Sequence, residues 1–283
     1  MLTRRIFIKQ SALFSAAALT TPADLISTYR QIGLQLYTLR AEIVKDPTSV
    51  IQNVAAIGYK EVESFGYHEG KYFGMSPKAF ASLLKSNGLT HPSGHYMLAN
   101  LSKDWQKAID DAAEAGQQYM VVAYLLDTER ESLDDYKKIA AQFNKAAELC
   151  KTAGIQFGYH NHDFEFKEMG GGHGFDILLK ETDPSLVKFE LDLYWVSYSG
   201  RDPIELFKQH PGRFPLWHVK DMDNTPKNFF TEVGSGIIDF KKIFSQAQLS
   251  GMKHFFVEQD VCPGPPIDSI KKSYQYIKKN LVN

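Results

Sequence analysis

The fold class the sequence predicts is a closed (β/α)₈ barrel, and three observations predict it. Short apolar runs alternate with helical segments, and a glycine stands before most of the runs. Eight such units fill roughly 250 residues, the size of one barrel of this kind. No G-x-G-x-x-G follows any run, so the alternative, an open doubly wound sheet, lacks its dinucleotide fingerprint.

The elements follow in order. The first strand is Ile32 to Leu39. A helix from Pro47 to Ile57 stops at Gly58, because the residue after a helix often needs a left-handed backbone. Tyr59 to Phe65 is the second strand, and a helix from Pro77 to Ser86 leads through Gly88 to the third, Leu89 to Met97. The amphipathic Leu101 to Ala115 stops at Gly116, before the fourth strand, Tyr119 to Leu126. Leu133 to Thr152 is the longest helix. Gly154 ends it, and Ile155 to Phe166 opens as the fifth strand. A short helix, Phe175 to Glu181, precedes Val187 to Val196; Ile204 to Gln209 precedes Phe214 to Asp221; Phe240 to Leu249 precedes His254 to Asp260. Ile267 to Leu281 is the last helix. No linker or low-complexity run interrupts residues 24–283, which read as a single domain.

Residues 1–23 read differently. Thr3-Arg4-Arg5-Ile6-Phe7-Ile8-Lys9 precedes an apolar stretch, Ala12 to Leu19, that is too short to span a bilayer. This resembles a twin-arginine export signal, with cleavage between about Thr20 and Ala23. It implies a periplasmic mature protein without a membrane segment, carried folded and often loaded with a metal or cofactor.

With 283 residues and 43% apolar content, the chain has material for a large core. A formal net charge of −1 leaves no electrostatic footprint for nucleic acid or an anionic membrane. Cys150 and Cys262 lie far apart and outside any metal-type spacing. A homo-oligomer is compatible with this composition.

The strand ends carry the chemistry. In a strand, residues two apart share a face, so one alternation gathers Glu61 and Glu63, His95, His160 and His162, Glu190 and Asp192, His218 and Lys220, and Glu258 and Asp260. Parallel strands are buried on both faces, so these groups must meet one another or a cation. His160, Asp192, His218 and Glu258 come from four neighbouring strands at matching heights. Two imidazoles and two carboxylates suit one divalent ion, Mn²⁺, Zn²⁺, Co²⁺ or Fe²⁺. A salt-bridge network without metal is the alternative.

Tyr159-His160-Asn161-His162, Asp192-Leu193-Tyr194-Trp195, His218-Val219-Lys220-Asp221, Gly234-Ser235-Gly236-Ile237-Ile238-Asp239-Phe240 and Val257-Glu258, in this order, resemble the xylose-isomerase-like barrel family of sugar isomerases, epimerases and dehydratases. The resemblance covers residues 30–283. It implies a metal held by one residue from each of strands five to eight, which maps to His160, Asp192, His218 and Glu258. Many isomerases of the family have a proton-moving glutamate where this chain has His160. The Tyr-His-Asn-His motif is closer to the inosose dehydratase branch, which implies proton abstraction beside a ketone and loss of a β-substituent.

On that resemblance, the substrate is a keto-sugar or related polyol, and Glu258, His95, His162 and Lys220 are the candidates for proton transfer and charge stabilisation. Glu63 is expected to hold sugar hydroxyls. Tyr37, Phe65, Trp195 and Trp217 are expected to offer apolar faces to the ring, although a single aromatic is more often plain core. A two-base isomerase or epimerase and a non-catalytic sugar-binding barrel are the alternatives.

Overall fold

The computed structural model describes residues 31–282. The export signal expected at residues 1–23 lies outside the described residues. Eight parallel strands close into a barrel in which each pairs with its sequence neighbours and the last returns to the first. They are β1 (Gly33–Gln35), β2 (Glu61–Ser64), β3 (Thr90–Tyr96), β4 (Tyr119–Val122), β5 (Gln156–His160), β6 (Val187–Asp192), β7 (Leu216–Val219) and β8 (His254–Val257). Helices between the strands cover the outside. Among the described residues no helix is long and apolar enough to cross a membrane.

Local chemistry sets the helix boundaries. Asp46, Ser76, Ser132 and Asp202 each turn a side-chain oxygen to a free N–H in the first turn of the helix that follows. Gly154, at φ 74°, supplies the left-handed residue that lets the chain leave the long helix Leu133–Thr152 and enter β5.

The strands are shorter than their apolar runs, and the reasons are polar side chains at their ends. After β1, Leu36–Leu39 coils into a 3₁₀ turn because the Gln35 side chain accepts from the Tyr37 N–H at 3.0 Å. After β6, Leu193–Tyr198 is helical rather than extended, because Asp192 Oδ1 accepts from the N–H groups of Tyr194 (2.9 Å) and Trp195 (3.1 Å). After β5, Glu165 accepts from the His162 N–H at 2.9 Å and folds Phe164–Phe166 into another 3₁₀ turn. The expected helix Phe240 to Leu249 is two short pieces, Phe240–Phe244 and Ala247–Ser250.

Two cores result. The main one lies between strands and helices and takes the outward side chains, Phe157, Phe189, Leu191, Trp217 and Val219 among them. A smaller one lies inside the barrel, where Val121, Leu216 and Phe256 pack together. Above this apolar plug the interior turns polar, and the site begins there.

Candidate active site

Register stacks the inward polar residues in two tiers. His160 pairs with Glu190 across β5 and β6, and Asp192 with His218 across β6 and β7. The lower tier is Glu63, His95, Glu190 and His218; the upper is His160, Asp192, His218 and Glu258. In each, one donor atom from every residue lies within 4.8 Å of the others. All seven side chains are buried. The sequence expectation had the upper four together, and the structure brings them together.

The lower tier is knit together by short contacts, with Glu190 Oε1 left without a hydrogen-bond partner among the described residues. Glu63 Oε2 lies 2.6 Å from His218 Nε2 and accepts from Gln35 Nε2 at 2.7 Å, while its other oxygen accepts from Ser93 Oγ. His95 Nε2 lies 2.6 Å from Glu190 Oε2 and 3.3 Å from Glu63. Burial and the neighbouring Glu190 raise the Glu63 carboxyl. Burial works against the charge on Glu190 too, yet the imidazoles of His218 and His95 hold it well below the usual range. For His95, burial is outweighed by Glu63 and Glu190, and its pKa is raised. Glu63 therefore does not reach sugar hydroxyls as expected: protein partners occupy it one layer beneath the cavity.

The upper tier reaches the cavity through His160 and Glu258. His160 Nδ1 lies 3.3 Å from the Ala123 carbonyl, and Nε2 lies 3.2 Å from Asp192 Oδ2. With Nδ1–H given to that carbonyl, Nε2 presents a lone pair to a carboxylate oxygen. Burial, helped by His218, lowers His160 to about 4, so the ring is neutral near pH 7. His218 Nδ1 and Glu258 Oε2 are 2.8 Å apart but out of line for a hydrogen bond, so Nδ1 has no hydrogen-bond partner among the described residues, while the same Glu258 oxygen lies 2.7 Å from the Lys220 ammonium. Carboxylate oxygens and ring nitrogens that converge on one small volume are what ligands aimed at a shared cation present. By donor chemistry and by this convergence, the upper tier fits a divalent ion.

Beside it stands Lys220. Its ammonium lies 2.7 Å from Glu258, 3.0 Å from Asp192 and 2.9 Å from Asp260. Burial opposes its charge, but Asp192, Asp260 and Glu258 carry its pKa well above the ordinary value. Lys220 is thus held as a cation by its three carboxylates.

A cavity of about 390 Å³ opens over this tier, with His95, His160, His162, Lys220, Glu258 and Asp260 at its floor and Tyr37, Phe65, Tyr67, Met97 and Tyr124 among its walls. His162 stacks on Phe164 at 5.4 Å, and its buried Nδ1 has no hydrogen-bond partner among the described residues. Burial first, then His160 and Lys220, press its pKa well below the ordinary value.

Two aromatics do not stand where expected. Trp217 faces outward, stacked on Phe207 at 5.1 Å and met edge-on by Phe244. Its neighbour His218 holds the inward position, and alternation puts the indole in the helix layer. Trp195 stands behind His162, with ring centroids 5.8 Å apart, and does not line the cavity. Asp260 and Glu190 carry more of the site than the sequence assigned them. Both share the inward alternation with Glu258 and Asp192, which is the signal that marks them.

The loop after β7 is tied to this face by one side chain. Asp221 accepts from the N–H groups of Met222, Gly234, Gly236 and Ile238. A Cβ at Gly236 would stand 2.1 Å from the Met222 carbonyl oxygen, so the close approach requires glycine.

Fold and site together define a barrel protein whose ionisable side chains gather at the C-terminal mouth, the active face of such barrels. The chain belongs to the xylose isomerase-like TIM barrel family, whose model matches residues 51–280. It is similar to a crystal structure of a sugar phosphate isomerase/epimerase from Parabacteroides distasonis, 31% identical with a TM-score of 0.79, covering 90% of this chain and 96% of that one. It is 29% identical over 159 residues to the inosose dehydratase of Geobacillus thermodenitrificans, covering 48% of this chain and 51% of that protein. The chain thus spans about half the length of the curated relatives it matches. The IolI protein, solved with a bound zinc atom, shares the fold at 13% identity and a TM-score of 0.68, covering 89% of this chain and 99% of that one.

Proposed function

We propose that the protein is an enzyme that removes a proton beside the carbonyl of a keto-sugar or related polyol and expels a β-substituent. The observation that carries this reading is the upper tier beneath an open cavity, with a fixed cation and an unpartnered imidazole on the same floor. His160, Asp192, His218 and Glu258 would hold a divalent ion, Mn²⁺, Zn²⁺, Co²⁺ or Fe²⁺, which when bound supplies Lewis acidity toward the sugar's oxygens.

The chain's own residues supply the rest. The Lys220 ammonium, its N–H groups turned to Asp192, Glu258 and Asp260, contributes its positive field and not a hydrogen bond to the oxygen on which negative charge develops. Glu258 is engaged by Lys220 and lies against His218, which leaves it a ligand first. His162 is the imidazole on the cavity floor that no ion pair holds, and burial keeps it neutral, so it takes the proton. The electrons of that C–H bond form the new double bond as the β-substituent departs. His95, held by Glu190 and facing the cavity, returns a proton to the departing group.

The dehydratase names among the relatives support elimination. A two-base isomerase is the second reading. It is favoured by Asp260, a further carboxylate on the cavity floor, and by the isomerase/epimerase name of the structural relative. Incubating metal-loaded protein with a 3-keto-glucoside distinguishes the two. Elimination releases the aglycone or an unsaturated sugar, and His162→Gln stops it while bound metal stays. An intact glycoside, with a free ketose converted to its epimer or aldose, establishes the isomerase instead. Binding of either sugar without turnover makes the barrel a binding module.

The twin-arginine stretch supports a periplasmic location for this activity. Arg4→Lys with Arg5→Lys should trap the precursor in the cytoplasm, read by fractionation; unchanged delivery of the double variant removes the proposal.

A further inference from the structure

The cavity has two halves of opposite chemistry. Its floor is ionic, and its outer walls are Tyr37, Phe65, Tyr67, Met97 and Tyr124. The Tyr37 side of the wall is built from the core outward. Tyr37 meets Phe65 edge-on at 5.2 Å, Phe65 meets Phe73 at 5.2 Å, and Phe73 meets the fully buried Phe80 at 5.5 Å. Arg40 lies 4.6 Å over the Tyr37 ring and donates to the Asp260 carbonyl at 2.8 Å, which fastens the wall to the floor. Rings held this way lose little freedom when a ligand packs on them.

Tyr37 and Met97 remain 39% and 43% exposed at the mouth, a large apolar surface for a site whose floor is ionic. The cavity's size falls among those that enclose ligands larger than one sugar ring. A phosphate has no holder here. Among the lining residues Lys220 is the one Lys or Arg, and three carboxylates already surround it.

We infer that the Tyr37–Phe65 wall is a subsite for an aromatic aglycone, so that the sugar enters as an aryl glycoside and not as a free sugar or sugar phosphate. This rests on the reading above that the sugar sits on the ionic floor. The aglycone is then the β-substituent that departs, and the wall sets which leaving groups are accepted.

The test is calorimetric titration of metal-loaded protein with three probes: methyl β-glucoside, phenyl β-glucoside and glucose 6-phosphate. None carries the ketone, so none is consumed. The phenyl glycoside should bind about tenfold tighter than the methyl glycoside, from the apolar area the ring buries. Phe65→Ala should bring that ratio close to one. Should Phe65→Ala lose its metal or its cooperative melt, Tyr37→Ser, at an exposed position, reads the same ratio. Equal binding of the two glycosides by the wild type overturns the subsite but leaves the sugar floor standing, as does an unchanged ratio in the folded variants. Tighter binding of glucose 6-phosphate than of either glycoside overturns it in favour of a phosphate subsite. Failure of all three probes to bind removes the sugar floor itself, and the subsite with it.

Discussion

His218 is the residue on which both tiers turn. Its Nε2 lies 2.6 Å from Glu63 and 3.2 Å from Glu190, and its Nδ1 faces Glu258. A carboxylate that takes the proton of one ring nitrogen leaves the other nitrogen free for a ligand role and fixes the plane of the ring. Glu63 and Glu190 are therefore positioning residues for the upper tier. Two variants separate direct from indirect roles. His218→Ala should abolish the one divalent ion expected per chain. Glu190→Gln should keep a site of the same stoichiometry but weaken it about 10- to 100-fold, the usual loss when such a partner is removed. Competition against a chelator reads both, and stoichiometric metal in His218→Ala would defeat the assignment. At this scale the sequence told sides apart but not depths. Alternation is a parity: it places Glu63, Glu190 and Asp192 inside the barrel and Trp217 outside. How far up the barrel each residue stands depends on the stagger between strands, which no single strand encodes. Glu63 was accordingly expected at the cavity and lies a layer beneath it. Trp217 was expected at the sugar against its own parity.

The elements were legible because their signals are local: a capping side chain before each of several helices, glycine after them, and apolar runs between. Their ends were less so. Asp192 shows why, since one carboxylate ends β6, caps the helix Leu193–Tyr198 and points its other oxygen into the site. Read as a strand, Val187 to Val196 continues because Leu193 to Val196 are apolar; only the cap stops it. A buried side chain of β3 makes a prediction at this scale. His91 lies on the outer side of the strand, with Nε2 2.8 Å from Ser64 Oγ and 3.0 Å from Gln117 Nε2. Burial lowers its pKa from 6.5 to about 3. In the unfolded chain the ring takes up a proton below about pH 6.5, and in the folded chain it does so only near 3. The contribution is complete above pH 6.5 and is lost as pH falls between those values, by about 1.4 kcal/mol per pH unit. His91→Gln should remove that slope. The urea midpoints of variant and wild type, compared at pH 7 and pH 4.5, should converge as pH falls; an unchanged gap would mean that His91 titrates normally in the fold.

For the whole molecule, the site and the stability are one equilibrium. The four upper-tier residues come from β5, β6, from the end of β7 and from just beyond β8, so they assemble only when the barrel is closed. An ion that binds them binds the native state and not the unfolded chain. Folding therefore gains by mass action: at a free ion concentration 100 times the dissociation constant the gain is about 2.7 kcal/mol. For a domain of this size each kcal/mol moves the midpoint by about 2–4 °C, so the melt should rise by about 5–10 °C between chelator and saturating metal. The metal-free barrel is already held by its two apolar cores and by the ion pairs of the lower tier, so it should still melt cooperatively in chelator. The rise should follow the logarithm of metal concentration once the site is filled, which a nonspecific salt effect at the surface does not do. Calorimetric scans across a series of Mn²⁺ or Zn²⁺ concentrations, on wild type and on His218→Ala, read this directly. The variant should melt at one temperature throughout. A wild type whose midpoint is the same in chelator and in excess metal would leave the upper tier as a salt-bridge network.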